Sequence, residues 1–455
     1  MNRIASRAMI VLVLVVGLLA GTVFFVAEYA VESSDWVMTP GSPHVYRDDQ
    51  VGKGVVTDGE DVLLLDTTNG KTFSNDVYIR QAYLHWVGDR EGNVQAGILS
   101  HYSKELVGYD ALSGTYSYGD AAGQMVLSLD ASVQTAALKA MGDRKGTVAV
   151  YNYKTGEIIC AISTPTFDPE SPPDVANDTT GAYEGVYVNR FLRSKYIPGS
   201  IFKIVTLAAA LECIPEIQSQ TFSCNGSVEL QGGSVTCERS HGTQSLKDAF
   251  CNSCNCAFAQ ITLQVGKERM ARYVEQFGLT QNLSFDGLTT VSGNYSVDDA
   301  CEQEFAWSGI GQYTDQVNPC AYMQFMGAIA GGGVTSQPHV VSQIKLSGRN
   351  TYTAQPGESA RIMSVSTAKT LSEYMQNNVQ AKYGSDNFPG ITVCAKSGTG
   401  EVGGDKRPNA MFAGFVTDSD LPLAFIVCIE EGGYGAQTCI PVLSAVLSAC
   451  KASLN

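Results

Sequence analysis

Ser200 stands three residues before Lys203 in the string YIPGSIFKIVTLAAALE, and Lys203 is the only charged residue between Ile201 and Leu211. Three residues is close to one helical turn, so a helix opening here sets the hydroxyl and the amine on one face. Pro198 and Gly199 break the chain just ahead of it. Burial in so apolar a helix disfavours the ammonium form and moves the amine toward neutrality, where it can take a proton from a serine hydroxyl. The pair is a candidate nucleophile and base. Ser-x-x-Lys alone says little, since it recurs at Ser342/Lys345, Ser366/Lys369 and Ser448/Lys451. A lysine lying along an apolar surface with its amine in water is the ordinary explanation of such a string.

Two later strings supply the rest of a constellation. Ser253-Cys254-Asn255 leads directly into the apolar run CAFAQI, and Lys396-Ser397-Gly398-Thr399 closes a β-branched segment. Ser-x-Asn also recurs, at Ser223/Asn225, Ser292/Asn294, Ser385/Asn387 and Ser453/Asn455, but only Ser253 opens a helix-like run. Lys154-Thr155-Gly156 imitates the third string, yet it precedes Ser200 and falls in a turn.

The order Ser-x-x-Lys, Ser-x-Asn, Lys-(Ser/Thr)-Gly resembles that of the penicillin-binding and β-lactamase serine enzymes. The flanks resemble a class B penicillin-binding protein in particular: LSLDASVQTAALKAM, KTGEIICAISTPTFDP, His241-Gly242, Ile310-Gly311-Gln312 and IAGGGVTSQP. The resemblance implies a peptidoglycan D,D-transpeptidase whose Ser200 attacks a D-Ala-D-Ala stem peptide and is acylated by β-lactams. It implies Lys203 as general base, Ser253 as proton relay, and Asn255 as the group holding Lys203 and the substrate amide. Lys396 would keep the site electropositive, and with Ser397 and Thr399 would receive the terminal carboxylate. Gly398 would let the substrate backbone approach the strand edge. The backbone N–H groups of Ser200 and Thr399 would form the oxyanion hole. No metal or organic cofactor is needed by this chemistry. Alternatives of the same fold are a D,D-carboxypeptidase and a β-lactam-hydrolysing enzyme. The latter is disfavoured because no Glu-x-x-Leu-Asn string lies between the second and third motifs. A β-lactam sensor is a further alternative, disfavoured by the single candidate span.

The elements that must position these residues follow from pattern. Ser132 to Met141 has helical spacing, GTVAVYN and EIICAIS alternate around a Tyr153–Gly156 turn, and ITVCAKSGT, AMFAGFV and LAFIVCI read as late strands before an apolar segment from Ile440 to Leu454. Residues 198–334 read as largely helical. Two early strands, a helical middle and three late strands make an α+β domain with a five-stranded antiparallel sheet flanked by helices, over residues 126–455. Residues 28–125 carry short apolar runs between Gly/Asp turns such as Asp58-Gly59 and read as a small β-rich pedestal. Ala8 to Ala27 is twenty residues without a charge, preceded by Arg3 and Arg7. That predicts one transmembrane helix, a cytoplasmic tail over residues 1–7, and everything after Glu28 outside the bacterial cytoplasmic membrane. No glycosyltransferase segment is found ahead of the pedestal, and the resemblance implies a multi-span lipid II polymerase as partner.

The chain has 455 residues, 44% of them hydrophobic, enough for a sizeable core, and a net charge of -15. That balance, without a Lys/Arg cluster, excludes a nucleic-acid partner. Thirteen cysteines are many for an extracytoplasmic chain. Cys224 and Cys237 flank a hairpin-like segment (CNGSVELQGGSVTC) that a disulfide could close. Cys251, Cys254 and Cys256 cluster without a histidine or second Cys-x-x-Cys to complete a zinc set, and read as small buried residues. Alternation puts Cys394 on the Lys396 side of its strand, which predicts inhibition by oxidants.

Overall fold

The computed structural model describes residues 2–37, 54–68, 70–107, 109–110, 115–116, 123–355 and 357–454. Its centre is a five-stranded antiparallel sheet, whose strands we number β1 (Gly146–Asn152), β2 (Ile158–Thr164), β3 (Val393–Gly400), β4 (Asn409–Val416) and β5 (Leu423–Ile429). Their spatial order is β3-β4-β5-β1-β2. Every residue of β4 and β5 is buried, so both faces of the sheet are covered, and after Asn409 the sequences AMFAGFV and LAFIVCI carry no polar side chain instead of alternating. One cover is formed by the helices Ala131–Met141 and Gly435–Ser453, which pack on each other as well as on the sheet. Asp130 caps the first of these, accepting from the N–H groups of Ser132 and Val133. The other cover is the helix Pro319–Ala330, opened by proline at its first position and by the Asn318 side chain, which accepts from the N–H groups of Cys320 and Ala321.

Against this second side pack the helices that carry the chemistry. Gly199–Phe202 is a single 3-10 turn that continues as the α-helix Lys203–Cys213, and eight of that helix's residues are buried. The helices Asn255–Val265 and Val365–Asn378 lie beside it. Residues 198–334, expected to be largely helical, also hold short antiparallel pairs, among them Thr221–Cys224 with Gly242–Ser245 and Ser227–Leu230 with Gly233–Thr236. The strands of these two pairs are four residues long with exposed positions, too short to leave a clear alternation in the sequence.

The N-terminal region holds the expected strands and adds helices between them. It contains the helices Val77–Val87, Gly97–His101 and Ser103–Val107. Val77–Val87 buries Ala82 to Val87 as one block instead of a periodic stripe, and it packs against the helices Ala131–Met141 and Gly97–His101 and the strands Leu63–Asp66 and Ile158–Thr164. The six-stranded sheet here runs Arg349–Thr353, Val341–Leu346, Gly123–Leu127, Gly54–Thr57, Leu63–Asp66, Thr72–Phe73. Its first two strands come from beyond residue 340, so the pedestal sheet is finished by the later part of the chain. A bidentate pair of Arg80 with Asp168, at 2.7 and 2.6 Å, adds a second tie. The N-terminal helix Asn2–Val37 includes Ile4–Val31, long and apolar enough to cross a membrane by length and composition.

Asp315, in the segment between Gly311 and Asn318, is fully buried with neither carboxylate oxygen hydrogen-bonded among the described residues, and burial pushes its carboxyl well above the usual range. A carboxyl raised on folding contributes fully below its unfolded value near 4 and loses ground as pH rises. Asp315→Asn is therefore expected to raise the melting temperature at pH 7.5, with the gain shrinking toward pH 4, as read by thermal unfolding across that range.

Candidate active site

The nucleophile turn is braced from three sides. The Gly199 N–H donates to the Gly311 carbonyl at 2.9 Å, the Tyr322 hydroxyl donates to the Ile201 carbonyl at 2.7 Å, and the Thr206 hydroxyl donates to the Gly309 carbonyl at 2.6 Å. Gly199 has φ 52°, and a Cβ there would stand 2.2 Å from the Thr399 carbonyl oxygen. The turn thus sits directly against the end of β3, where any side chain would separate them.

Lys203 has no exposed surface, and its amine lies 3.1 Å from Ser200 Oγ. It donates to the Ser253 carbonyl at 2.6 Å and to Asn255 Oδ1 at 2.7 Å, and it lies 3.1 Å from Ser253 Oγ. Burial, then the nearby Lys396 charge, lowers its pKa to about 7. A neutral amine has two N–H bonds and one lone pair. The two shortest contacts are to oxygens that only accept, so they take both N–H bonds and leave the lone pair facing Ser200. The Asn255 carboxamide is held in this orientation because its Nδ2 donates to the Thr236 carbonyl at 2.8 Å. Ser253 occupies a left-handed backbone conformation, φ 53°. That conformation costs a non-glycine residue on the order of 1–3 kcal/mol. It turns both the Ser253 carbonyl and its hydroxyl toward Lys203 just before the helix Asn255–Val265 begins.

Lys396, 1% exposed, reaches Ser253 Oγ at 3.0 Å and the Ser397 carbonyl at 3.0 Å. Burial lowers its pKa to about 7 as well. Ser253 Oγ therefore sits between two amines, in position to pass a proton. The structure brings Ser200, Lys203, Ser253, Asn255 and Lys396 into one group. Ser200, Ser253, Asn255, Ser397 and Thr399 line an open cleft of about 830 Å³, with Trp307 and Tyr434 on its walls.

Two residues that sequence reading gave no role complete β3's side of the cleft. The Tyr383 hydroxyl accepts from the Ser397 N–H at 3.0 Å and lies 3.0 Å from Ser397 Oγ. Gln312, recognised only as part of a turn, donates from Nε2 to the Thr399 carbonyl at 3.0 Å. Neither partnership has a sequence signature, because each joins segments that meet only in the fold.

Three readings need correction. Gly398 is buried and does not line the cleft. A Cβ there would stand 2.5 Å from the Pro198 carbonyl oxygen, so glycine is required for β3 to dock on the nucleophile turn and not for substrate approach. Cys394 is fully buried and burial pushes its thiol up to about 12, which removes the route by which an oxidant was expected to act. Cys224 and Cys237 are free thiols, and they gather with His241 and Cys254, not with each other alone. Of the tight cysteine cluster, Cys254 and Cys256 are buried as expected, whereas Cys251 is half-exposed.

The family described as the penicillin binding protein transpeptidase domain matches residues 146–448. The chain belongs to that family. Among its relatives, the peptidoglycan D,D-transpeptidase PbpA of Mycolicibacterium smegmatis is 29% identical over 336 residues, 68% of each chain. Stage V sporulation protein D of Bacillus subtilis is 28% identical over 348 residues, 71% of this chain and 52% of the relative. The D,D-transpeptidase domain of a peptidoglycan glycosyltransferase from Eggerthella lenta superposes with a TM-score of 0.75 at 25% identity, covering 88% of this chain and 98% of that one. Penicillin-binding protein A of M. tuberculosis, solved as a ceftriaxone acyl-enzyme complex, shares the fold at TM-score 0.75 and 23% identity, over 87% and 98% of the two chains.

Gly398→Ala forces β3 off the Ser200 turn. It is expected to slow labelling by fluorescent penicillin on the order of 10²-fold, the cost of a misplacement of about 1 Å. Tyr383→Phe, which removes only the hydroxyl that holds Ser397, is expected to slow labelling by less while leaving the melting temperature close to the parent's.

Proposed function

We propose that the chain is a peptidoglycan D,D-transpeptidase in which Ser200 forms an acyl-enzyme from a D-Ala-D-Ala stem peptide and is acylated in the same way by β-lactams. The observation that carries this reading is the buried Lys203 amine, 3.1 Å from Ser200 Oγ and with both N–H bonds engaged elsewhere.

In the first half-reaction Ser200 Oγ attacks the carbonyl of the penultimate D-alanine as Lys203 takes its proton. Charge developing on the carbonyl oxygen is met by the backbone N–H groups of Ser200 and Thr399. Ser253, between Lys203 and Lys396, returns a proton to the leaving D-alanine nitrogen. Ser397 and Thr399, exposed in the cleft, receive the terminal carboxylate, with Lys396 supplying positive charge beneath them. Asn255 fixes the Lys203 amine through Oδ1, and with one Nδ2 hydrogen given to the Thr236 carbonyl it keeps the other for the substrate amide. In the second half-reaction an acceptor amine displaces Ser200, joining two stem peptides. The apolar helix Ile4–Val31 anchors the protein in the bacterial cytoplasmic membrane, with a single pass and the catalytic domain on the outer side. A multi-span lipid II polymerase supplies the glycan strands.

Ser200→Ala is expected to abolish covalent labelling by fluorescent penicillin, and label retained in that variant overturns the choice of nucleophile. Purified protein given a D-Ala-D-Ala stem peptide and an acceptor amine is expected to release D-alanine and form the cross-linked product; release into water alone would select the carboxypeptidase. Because Lys203 must be neutral to act, the acylation rate constant is expected to rise with pH through about 7, more than three units below an ordinary lysine at 10.5. A rise centred near 10 would mean that Lys203 is not the base.

A further inference from the structure

One wall of the catalytic cleft holds a group of side chains that acyl transfer does not use. Cys224 ends the strand Thr221–Cys224, Cys237 follows the strand Ser227–Leu230 and its partner Gly233–Thr236, His241 precedes Gly242–Ser245, and Cys254 is the middle residue of Ser253-Cys254-Asn255. The three sulfurs and one imidazole nitrogen all lie within 4.8 Å of one another. Cys224 Sγ and Cys237 Sγ are each 3.5 Å from His241 Nδ1, and Cys237 Sγ is 4.0 Å from Cys254 Sγ.

These separations have the size of the edges of a metal tetrahedron. With bonds of about 2.3 Å to sulfur and about 2.0–2.1 Å to nitrogen, a tetrahedral zinc site has S–S edges of about 3.8 Å and S–N edges of about 3.5 Å. A disulfide instead needs sulfurs about 2.05 Å apart. Cys256 is nearby but does not belong to the group whose ligand atoms lie within 4.8 Å of one another, and its sulfur is 3.9 Å from the Val235 carbonyl. The loop that presents the ligands is held by backbone bonds independent of them. The Cys237 N–H donates to the Gly226 carbonyl at 2.9 Å, the His241 N–H donates to the Cys224 carbonyl at 3.1 Å, and the Ser240 hydroxyl donates to that same carbonyl at 2.9 Å. Fixed ligands are what a structural metal site needs.

We propose that Cys224, Cys237, His241 and Cys254 bind one zinc ion as a closed four-ligand site that pins the Ser253–Asn255 turn to the hairpins beside it. Three soft sulfurs and one imidazole select zinc over the hard cations that prefer oxygen. Four protein ligands leave no open position for a catalytic water. On binding, the three thiols release their protons to solvent and His241 coordinates as the neutral ring through Nδ1. The Cys254 ligand lies between Ser253 and Asn255, the two residues that hold the Lys203 amine. The metal is thus a positioning device for the general base, offsetting the strained backbone of Ser253 with bonds to three other points of the chain. It also protects half-exposed Cys237 from oxidation.

The full-length protein, purified in detergent under reducing conditions, equilibrated with zinc and freed of excess by gel filtration, is to be assayed for metal by mass spectrometry. One zinc per chain is expected. Cys224→Ser and His241→Ala are expected to lose it, while His241→Cys, which restores a four-ligand set, and Cys213→Ser, remote from the group, are expected to keep it. On the unaltered protein a chelator is expected to make three further thiols available to alkylation and to slow labelling by fluorescent penicillin, both reversed by added zinc. That measurement stands even where a variant does not fold. Zinc absent after equilibration, zinc retained in both ligand variants, or a Cys237–Cys254 disulfide in the labelling-competent protein each overturns the site. Labelling indifferent to zinc removal overturns its positioning role. Metal content is read without reference to Ser200, so an error in the choice of nucleophile leaves this test unaffected.

Discussion

A primary amine held without solvent, its N–H bonds taken by two oxygens that can only accept and its lone pair left to a serine hydroxyl, is the constraint on which the catalytic half of this molecule is built. Lys203 could be buried at little cost only if its proton count fell and its remaining N–H bonds found partners. The Ser253 carbonyl and Asn255 Oδ1 are those partners, and each is itself fixed, one by a left-handed backbone and the other by Thr236. Removing either leaves a buried donor unpaired, so stability and chemistry share the same bonds.

The surrounding packing serves the distance between that amine and the end of β3. The glycines Gly199, Gly311 and Gly398 all lie where backbone presses on backbone: a Cβ at Gly311 would stand 2.3 Å from the Gly199 carbonyl oxygen, as those at Gly199 and Gly398 would crowd Thr399 and Pro198. The three segments approach backbone to backbone at these glycines. Helix Pro319–Ala330 and the central sheet then hold this stack rigid from below.

What could be read in the sequence was whatever lay within a few residues. Ser200 with Lys203, Ser253 with Asn255, and Lys396 to Thr399 each declare themselves by short spacing, and the strands of the central sheet stand out by alternation in β1 and β2 and by mostly apolar runs in β4 and β5. Tyr383 and Gln312 are ordinary side chains until the fold sets them against β3. The grouping of Cys224, Cys237, His241 and Cys254 was hidden for a related reason. Cys237 and His241 have a zinc-like spacing of four residues, but their other two partners, Cys224 and Cys254, stand thirteen residues to either side and are brought in only by the fold. The Val77–Val87 helix was missed because its buried residues are contiguous and carry no 3.6-residue period.

The ordering of the central sheet has a consequence for how the molecule comes to exist. β1 lies between β2, its neighbour in sequence, and β5, near the C-terminus, with Val148 opposite Val427. The strand that carries Lys396 reaches β1 only through β4 and β5, so the groove cannot close until almost the entire polypeptide has emerged. Pairings so remote along the chain pay their loop entropy before any reward and form slowly. A newly made molecule therefore spends its first moments with the hydrophobic strands β4 and β5 unsheltered, and whatever keeps it apart from its copies would limit aggregation during that interval.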